Sequence, residues 1–188
     1  QSNEDLVKQH LEKNDLLFHS TIQGSAHVVL KEGKGADKED LEDAALFAAV
    51  YSKGWSMGYS SVDVYFVYPD QVSKTPQTGE YVDKGAFVIR GEKNFFKKVQ
   101  MSLSLGIVNI KTFYKDGEGK RIFCGRENTL QSHKIQILAS VIPGKEKKGD
   151  IAKSIHNKML ALEKTITLDE VLQALPPGTM EIKKDKRK

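Results

Sequence analysis

The chain has a single cysteine, Cys124, so no intramolecular disulfide can hold its fold and a reducing compartment is expected. No apolar run approaches the roughly 18 residues needed to span a bilayer. The opening residues, Gln-Ser-Asn-Glu-Asp-Leu-Val-Lys, lack the basic, apolar and small-residue blocks of a secretory signal, so a cytoplasmic protein with no membrane partner is expected. The five histidines, His10, His19, His27, His133 and His156, are too dispersed for the close-paired spacings of a zinc site. There is no Gly-x-Ser-x-Gly elbow and no cysteine-nucleophile signature. The expectation is a non-enzymatic protein with no metal and no cofactor.

Two glycine patterns come close to phosphate cradles and fall short. Gly33-Lys-Gly35 opens like a dinucleotide fingerprint, but Lys38 stands where the third glycine belongs and Asp37 would face the pyrophosphate. Gly144-Lys-Glu-Lys-Lys-Gly149 has the spacing of a P-loop, with Asp150 and Ile151 in place of its lysine and hydroxyl. Each pattern therefore reads as a turn or a helix entry.

What the chain does have is the material of one folded domain: 188 residues, 39% apolar and 29% charged, with a net charge of +4. Because so small an excess does not define a polyanion site, the placement of the cations must. Asn3 is positioned to cap a helix ending near Asn14, and Asp15–His19 and Ala26–Lys31 read as strands about a glycine turn. Asp37 caps a stronger helix with Leu41, Ala44, Ala45, Ala48 and Ala49 on one face. Strands are expected at 62–68, 86–90, 101–108, 110–114, 121–123 and 133–141, with a long polar loop from Pro69 to Lys84 and a glycine-bearing connection at 115–120. Beyond Pro143-Gly144, Ile151, Ile155, Met159 and Leu162 mark a helix, and Thr167 with Glu170 forms the capping box of a short one. Trp55 is expected to pack. The class predicted is α+β (mixed α/β): a single compact domain with a mixed sheet packed by helices and a C-terminal helical extension.

Two stretches resemble a known family. Asn3-Glu4 entering a helix, Asp15–His19 and Ile22–Leu30 are similar to the start of the NFACT-R module, the RNA-binding domain of the NFACT proteins. The longer likeness runs through Ala44–Trp55, Val67–Lys74, Gly79–Tyr81 and Lys84–Asn94. The remainder resembles the C-terminal extension of archaeal-type members through Val141–Gly144 and Leu175–Gly178. Gln23 stands where the family has a second histidine, and the strand and Gly-Arg-Asp-Ala segment that precede the module are missing. The resemblance thus implies a fragment cut inside its module, with an NFACT-R core at 1–98, residues 99–188 completing the same domain, and a frayed basic tail at 183–188.

The resemblance also implies a role in ribosome-associated quality control. Members bind an obstructed large ribosomal subunit and recruit tRNA for C-terminal tailing of the stalled chain, while peptidyl transfer belongs to the ribosome. Its partners would be tRNA, large-subunit RNA and the rest of a full-length protein, namely the N-terminal module and coiled coil. A stand-alone DNA- or protein-binding adaptor is the alternative. Beside the resemblance, Lys74, Lys84, Arg90, Lys93, Lys97 and Lys98 gather around Tyr68, Tyr81, Phe95 and Phe96, combining cations for phosphates with rings for unpaired bases. His19, beside a glycine turn, offers an imidazole to a phosphate or ribose hydroxyl. Gln23, Tyr68 and Asn94 complete the expected contact set, and Lys145, Lys147 and Lys148 form a second, weaker basic site.

Overall fold

The computed structural model describes residues 3–73, 87–112 and 115–184 of the chain. They fall in two compact units, Gln1–Lys53 with Ser61–Val99, and Gly54–Ser60 with Gln100–Lys188. The fold is α+β as the sequence indicates, and the strands among the described residues are distributed over three sheets. Every ladder whose register is described is antiparallel.

In the first unit, α1 (Asn3–His10) stops short of the expected Asn14. The chain then turns about Asp15, a carboxylate with no exposed surface that accepts the backbone N–H groups of Glu12 and Glu32 at 2.8 and 2.9 Å and the Lys31 ammonium at 2.7 Å. Burial pushes this carboxyl upward, but those donors outweigh it and hold the group below its ordinary range. It fixes the start of β1 (Leu16–Ser20), which pairs with β2 (Val28–Leu30). Gly33 is required by close approach, since a Cβ there would lie 2.8 Å from Cγ of Leu16. Asp37 caps α2 (Lys38–Val50) by accepting the Asp40 N–H at 3.0 Å, and Ala44, Ala45, Ala48 and Ala49 are buried on it.

The helix packs on β1, β2 and β3 (Ser61–Val67). A two-stranded ribbon follows, β4 (Val72–Ser73) with β5 (Val88–Ile89). Most of the loop expected from Pro69 to Lys84, with Lys74, Tyr81 and Lys84, lies outside the described residues. The sheet order β2-β1-β3-β6 is completed by β6 (Asn94–Gln100), a strand that the sequence pattern does not predict. Its residues are mostly exposed, so it lacks the apolar alternation that marks a half-buried strand.

The short α3 (Lys53–Ser56), all but its first residue in the second unit, contributes Trp55, which is 1% exposed and donates its indole N–H to the Thr179 carbonyl at 3.1 Å. A sheet of order β10-β9-β7-β8 joins β7 (Leu103–Asn109), β8 (Lys120–Gly125), β9 (Ile137–Glu146) and β10 (Met180–Ile182). The helices are α4 (Glu127–Ser132), α5 (Lys148–Leu160) and α6 (Leu168–Ala174), the last with the expected Thr167–Glu170 capping box.

Three local expectations are corrected in this unit. Ile110–Thr112 is a 3-10 turn rather than part of a strand. The strand expected from His133 begins only at Ile137, because His133 is the C-cap of α4 and the chain then turns at Lys134, φ 56°, before the strand can start. That strand also continues through Pro143-Gly144, where the sequence signalled a turn. It does so because β10 closes against it, Met180 opposite Pro143 and Glu181 opposite Ile142.

This pairing explains the first glycine of the P-loop-like pattern. A Cβ on Gly144 would come within 2.7 Å of backbone atoms of Met180 and Glu181, whereas Gly149 has open space. Gly144→Ala is therefore expected to cost about 1–3 kcal/mol in urea unfolding. Gly149→Ala, inside α5, should be neutral or stabilising by up to about 1 kcal/mol. Equal effects of the two substitutions would contradict the close-approach argument.

Candidate functional site

The pairing of β1 with β3 decides which side chains share a face. Leu17 lies opposite Val67, Phe18 opposite Phe66, His19 opposite Tyr65 and Ser20 opposite Val64. Because successive side chains alternate, Phe18 and Phe66 point one way and His19 and Tyr65 the other. On the first face Phe96 joins Phe18 and Phe66, with ring centroids 6.3 and 6.2 Å away. Tyr68 also belongs to this face, in edge contact with Phe66 and with the Lys34 ammonium 5.6 Å from its ring centre.

The opposite face carries a continuous row of rings. Phe87 meets His27 at 5.9 Å, His27 meets His19 at 4.6 Å, His19 meets Tyr65 at 5.9 Å and Tyr65 meets Phe95 at 5.8 Å. The Lys93 ammonium sits 4.4 Å from the Tyr65 ring centre and that of Lys97 sits 4.2 Å from Phe95. Phe95 keeps 47% of its surface exposed. Asp63, on the same face, accepts the Lys98 N–H at 2.8 Å and the Lys97 ammonium at 3.0 Å. The Lys98 N–H and the Lys97 ammonium hold this carboxyl below its ordinary range. Lys98 takes a left-handed backbone conformation, φ 52°, where Asp63 receives its N–H.

The row ends at the turn after β1. There the Ser20 and Ser25 hydroxyls are 3.0 Å apart, and the Ser25 hydroxyl also donates to the Ile22 carbonyl at 2.7 Å. Gln23 is exposed at the tip, next to Gly24 at φ +72°. His19 closes the turn through Nε2 and the Ser25 carbonyl, 3.1 Å apart. A carbonyl only accepts, so Nε2 carries the proton and the neutral ring's single N–H is engaged inside the protein.

The structure thus brings His19, Lys93 and Lys97 together, places Gln23 at one end of the row and Asn94 at the start of β6, and puts Tyr68 on the other face. Arg90 extends the ribbon next to them, where its carbonyl accepts the Gln71 side-chain amide at 2.8 Å. Lys145, Lys147 and Lys148 lie in the second unit, at the end of β9 and the entry of α5. Lys148 donates to the Leu175 carbonyl at 2.8 Å, and burial lowers its pKa. Tyr65 is absent from the expected contact set because Val62–Tyr68 reads as one buried run. Its signal was the parity, Asp63 and Tyr65 alternating with Val62, Val64 and Phe66. Among the described residues no group of three or more His, Cys, Asp or Glu is arranged to hold a metal ion.

Burial and the neighbouring His19 push the His27 pKa down to about 4, and burial first, then the charge of Lys93, lowers that of His19. A histidine depressed on folding binds its proton more tightly in the unfolded chain. The stability it contributes is complete above the ordinary value of 6.5 and is lost as the pH falls from there to about 4. Urea midpoints measured across this range are expected to fall more steeply for the natural chain than for His27→Phe. Parallel profiles would contradict this assignment.

Comparison with known proteins gives the first half of the chain a family. Residues 1–91 match the family model of the NFACT protein RNA binding domain. The archaeal Rqc2 homolog aRqcH of Methanocaldococcus jannaschii is 36% identical over 184 residues, covering 97% of this chain and 26% of that protein. The human ribosome quality control complex subunit NEMF is 38% identical over 97 residues, covering 50% of this chain and 9% of that protein. The chain therefore spans about a quarter or less of these relatives' lengths. The solved C-terminal region of the fibronectin/fibrinogen-binding protein of Streptococcus suis aligns with 52% of this chain and 36% of its own, at 26% identity and a TM-score of 0.43. Residues 1–91 of the chain thus belong to the NFACT RNA-binding domain family.

Proposed function

We propose that this chain is the RNA-contacting module of a ribosome-associated quality-control factor, a binding element with no chemistry of its own. Its partners in this reading are tRNA and large-subunit RNA. Its contribution is to help hold tRNA at a stalled large subunit while the ribosome extends the nascent chain at its C-terminus. It would work in the cytoplasm, joined to the N-terminal module and coiled coil of a longer protein. The relatives support the quality-control setting, and the family description supports RNA. Among the described residues no helix is long and apolar enough to cross a membrane.

The observation that carries the reading is the lysine-flanked row of rings on one face of the first sheet. Lys93 and Lys97 are exposed and point to that face with Phe95. The contact set proposed around them is Gln23, Arg90, Asn94 and Lys98, with Lys74 and Lys84, and with His19 as an acceptor for a ribose hydroxyl rather than a donor to phosphate, since its N–H is held by the Ser25 carbonyl. Tyr68 belongs to a flanking contact on the other face. Lys145, Lys147 and Lys148 form a second patch, in which Lys145 and Lys147 are the exposed members.

Fluorescence anisotropy with labelled tRNA across a salt series tests this. Affinity should fall steeply with salt, and Lys93→Glu with Lys97→Glu should lower the log–log slope by about 0.7–0.9 for each phosphate that is no longer neutralised. Asp63→Asn should raise affinity at low salt, since it removes the carboxylate that engages Lys97 and keeps an oxygen for the Lys98 N–H. Salt-independent binding, or binding indifferent to both lysines, would overturn the proposal. Equal affinity for duplex DNA and tRNA would favour the adaptor reading.

A further inference from the structure

Phe95 and Phe96 are adjacent in sequence but sit in different environments. Phe96 packs with Phe18 and Phe66 on the inner face. Phe95 turns to the other face, rests its ring against Tyr65 and leaves 47% of itself in water. The core gains little from so open a ring, and on an edge strand it is a liability for association. Its surroundings are those of a ligand site: a second ring 5.8 Å away, and two ammonium groups 4.2 and 4.4 Å from the two ring centres.

We infer that Tyr65 and Phe95 form a stacking site for one or two unpaired RNA bases, with Lys93 and Lys97 taking the adjoining phosphates. The inference rests on the RNA-binding reading above and adds the class of RNA: single-stranded loops or ends rather than duplex. In the free protein the ammonium groups occupy the ring neighbourhood through cation–π attraction. A base displaces them by offering its own π face, and the flexible lysine stems carry their charges to the phosphates on either side. Duplex RNA cannot make this exchange, because its bases are already paired and stacked. The His19–His27 pair behind Tyr65 is held neutral by burial and so supports the ring without competing for the phosphates.

The test uses the whole 188-residue chain and three RNAs of about ten nucleotides, matched to the span of a typical single-strand site. These are oligouridine, the same backbone with abasic riboses, and a duplex. Oligouridine is expected to bind at least roughly 5- to 150-fold more tightly than the abasic strand, the range that stacking of one base gives, with a larger ratio where a second base stacks. Phe95→Leu, which keeps an apolar side chain, should remove most of that difference. Lys93→Glu should weaken both strands. Equal binding of oligouridine and the abasic strand, or tighter binding of the duplex, would overturn the stacking site while leaving RNA contact intact. No binding of any of the three would overturn the RNA reading itself.

Discussion

Register between β1 and β3 is the constraint on which the rest of the first unit depends. Placing Phe18 opposite Phe66 and His19 opposite Tyr65 commits the first set of rings to the face of the buried Val62 and Val64 and the second to the outer face, where Leu17 and Val67 are buried and Asp63 and Tyr65 keep part of their surface. A slip of one residue would exchange the two sets and carry the charged Asp63 to the face of the buried Val62 and Val64. The register is secured at both ends of β1. At the start, the buried Asp15 gathers two backbone N–H groups and the Lys31 ammonium. At the end, the Ser20–Ser25 hydroxyls and His19 tie down the turn. β6 inherits the same parity, which sends Phe96 inward while Lys93, Phe95 and Lys97 line the open face.

Electrostatics on that face follow from geometry rather than from net charge. An excess of +4 over the chain is slight, yet Lys93 and Lys97 are set over rings whose π faces favour cations. Asp63 restrains Lys97 and at the same time pins the backbone of Lys98 in its left-handed conformation. The two histidines stay neutral because burial penalises their charged form. The two ammonium groups thus gather at the Tyr65–Phe95 end of the row and its histidines are uncharged, an arrangement suited to a ligand with apolar bases and anionic linkers.

The sequence made legible those features that depend on local chemistry. Asp37 as the cap of α2, its alanine face, Thr167 with Glu170 and the packing of Trp55 all rest on short-range rules and all stand in the structure. Features set by distant partners were not legible. β6 is an exposed edge strand without apolar alternation, and β10 is three residues long. β9 runs through Pro143-Gly144 only because Met180 and Glu181 close against it. The basic residues of the site were visible as a cluster in sequence, but parity separates Tyr68 from His19 and brings in Tyr65, and it could be applied only once the strand was known to have two different faces.

The central claim is that RNA meets the outer face of the β1-β3-β6 sheet. Ultraviolet crosslinking of the full chain to tRNA, with the modified residues mapped by mass spectrometry, tests it most directly. Crosslinks are expected at Tyr65, Phe95 and the lysines beside them. Crosslinks confined to Lys145–Lys148, or to the face carrying Phe66 and Tyr68, would contradict the account.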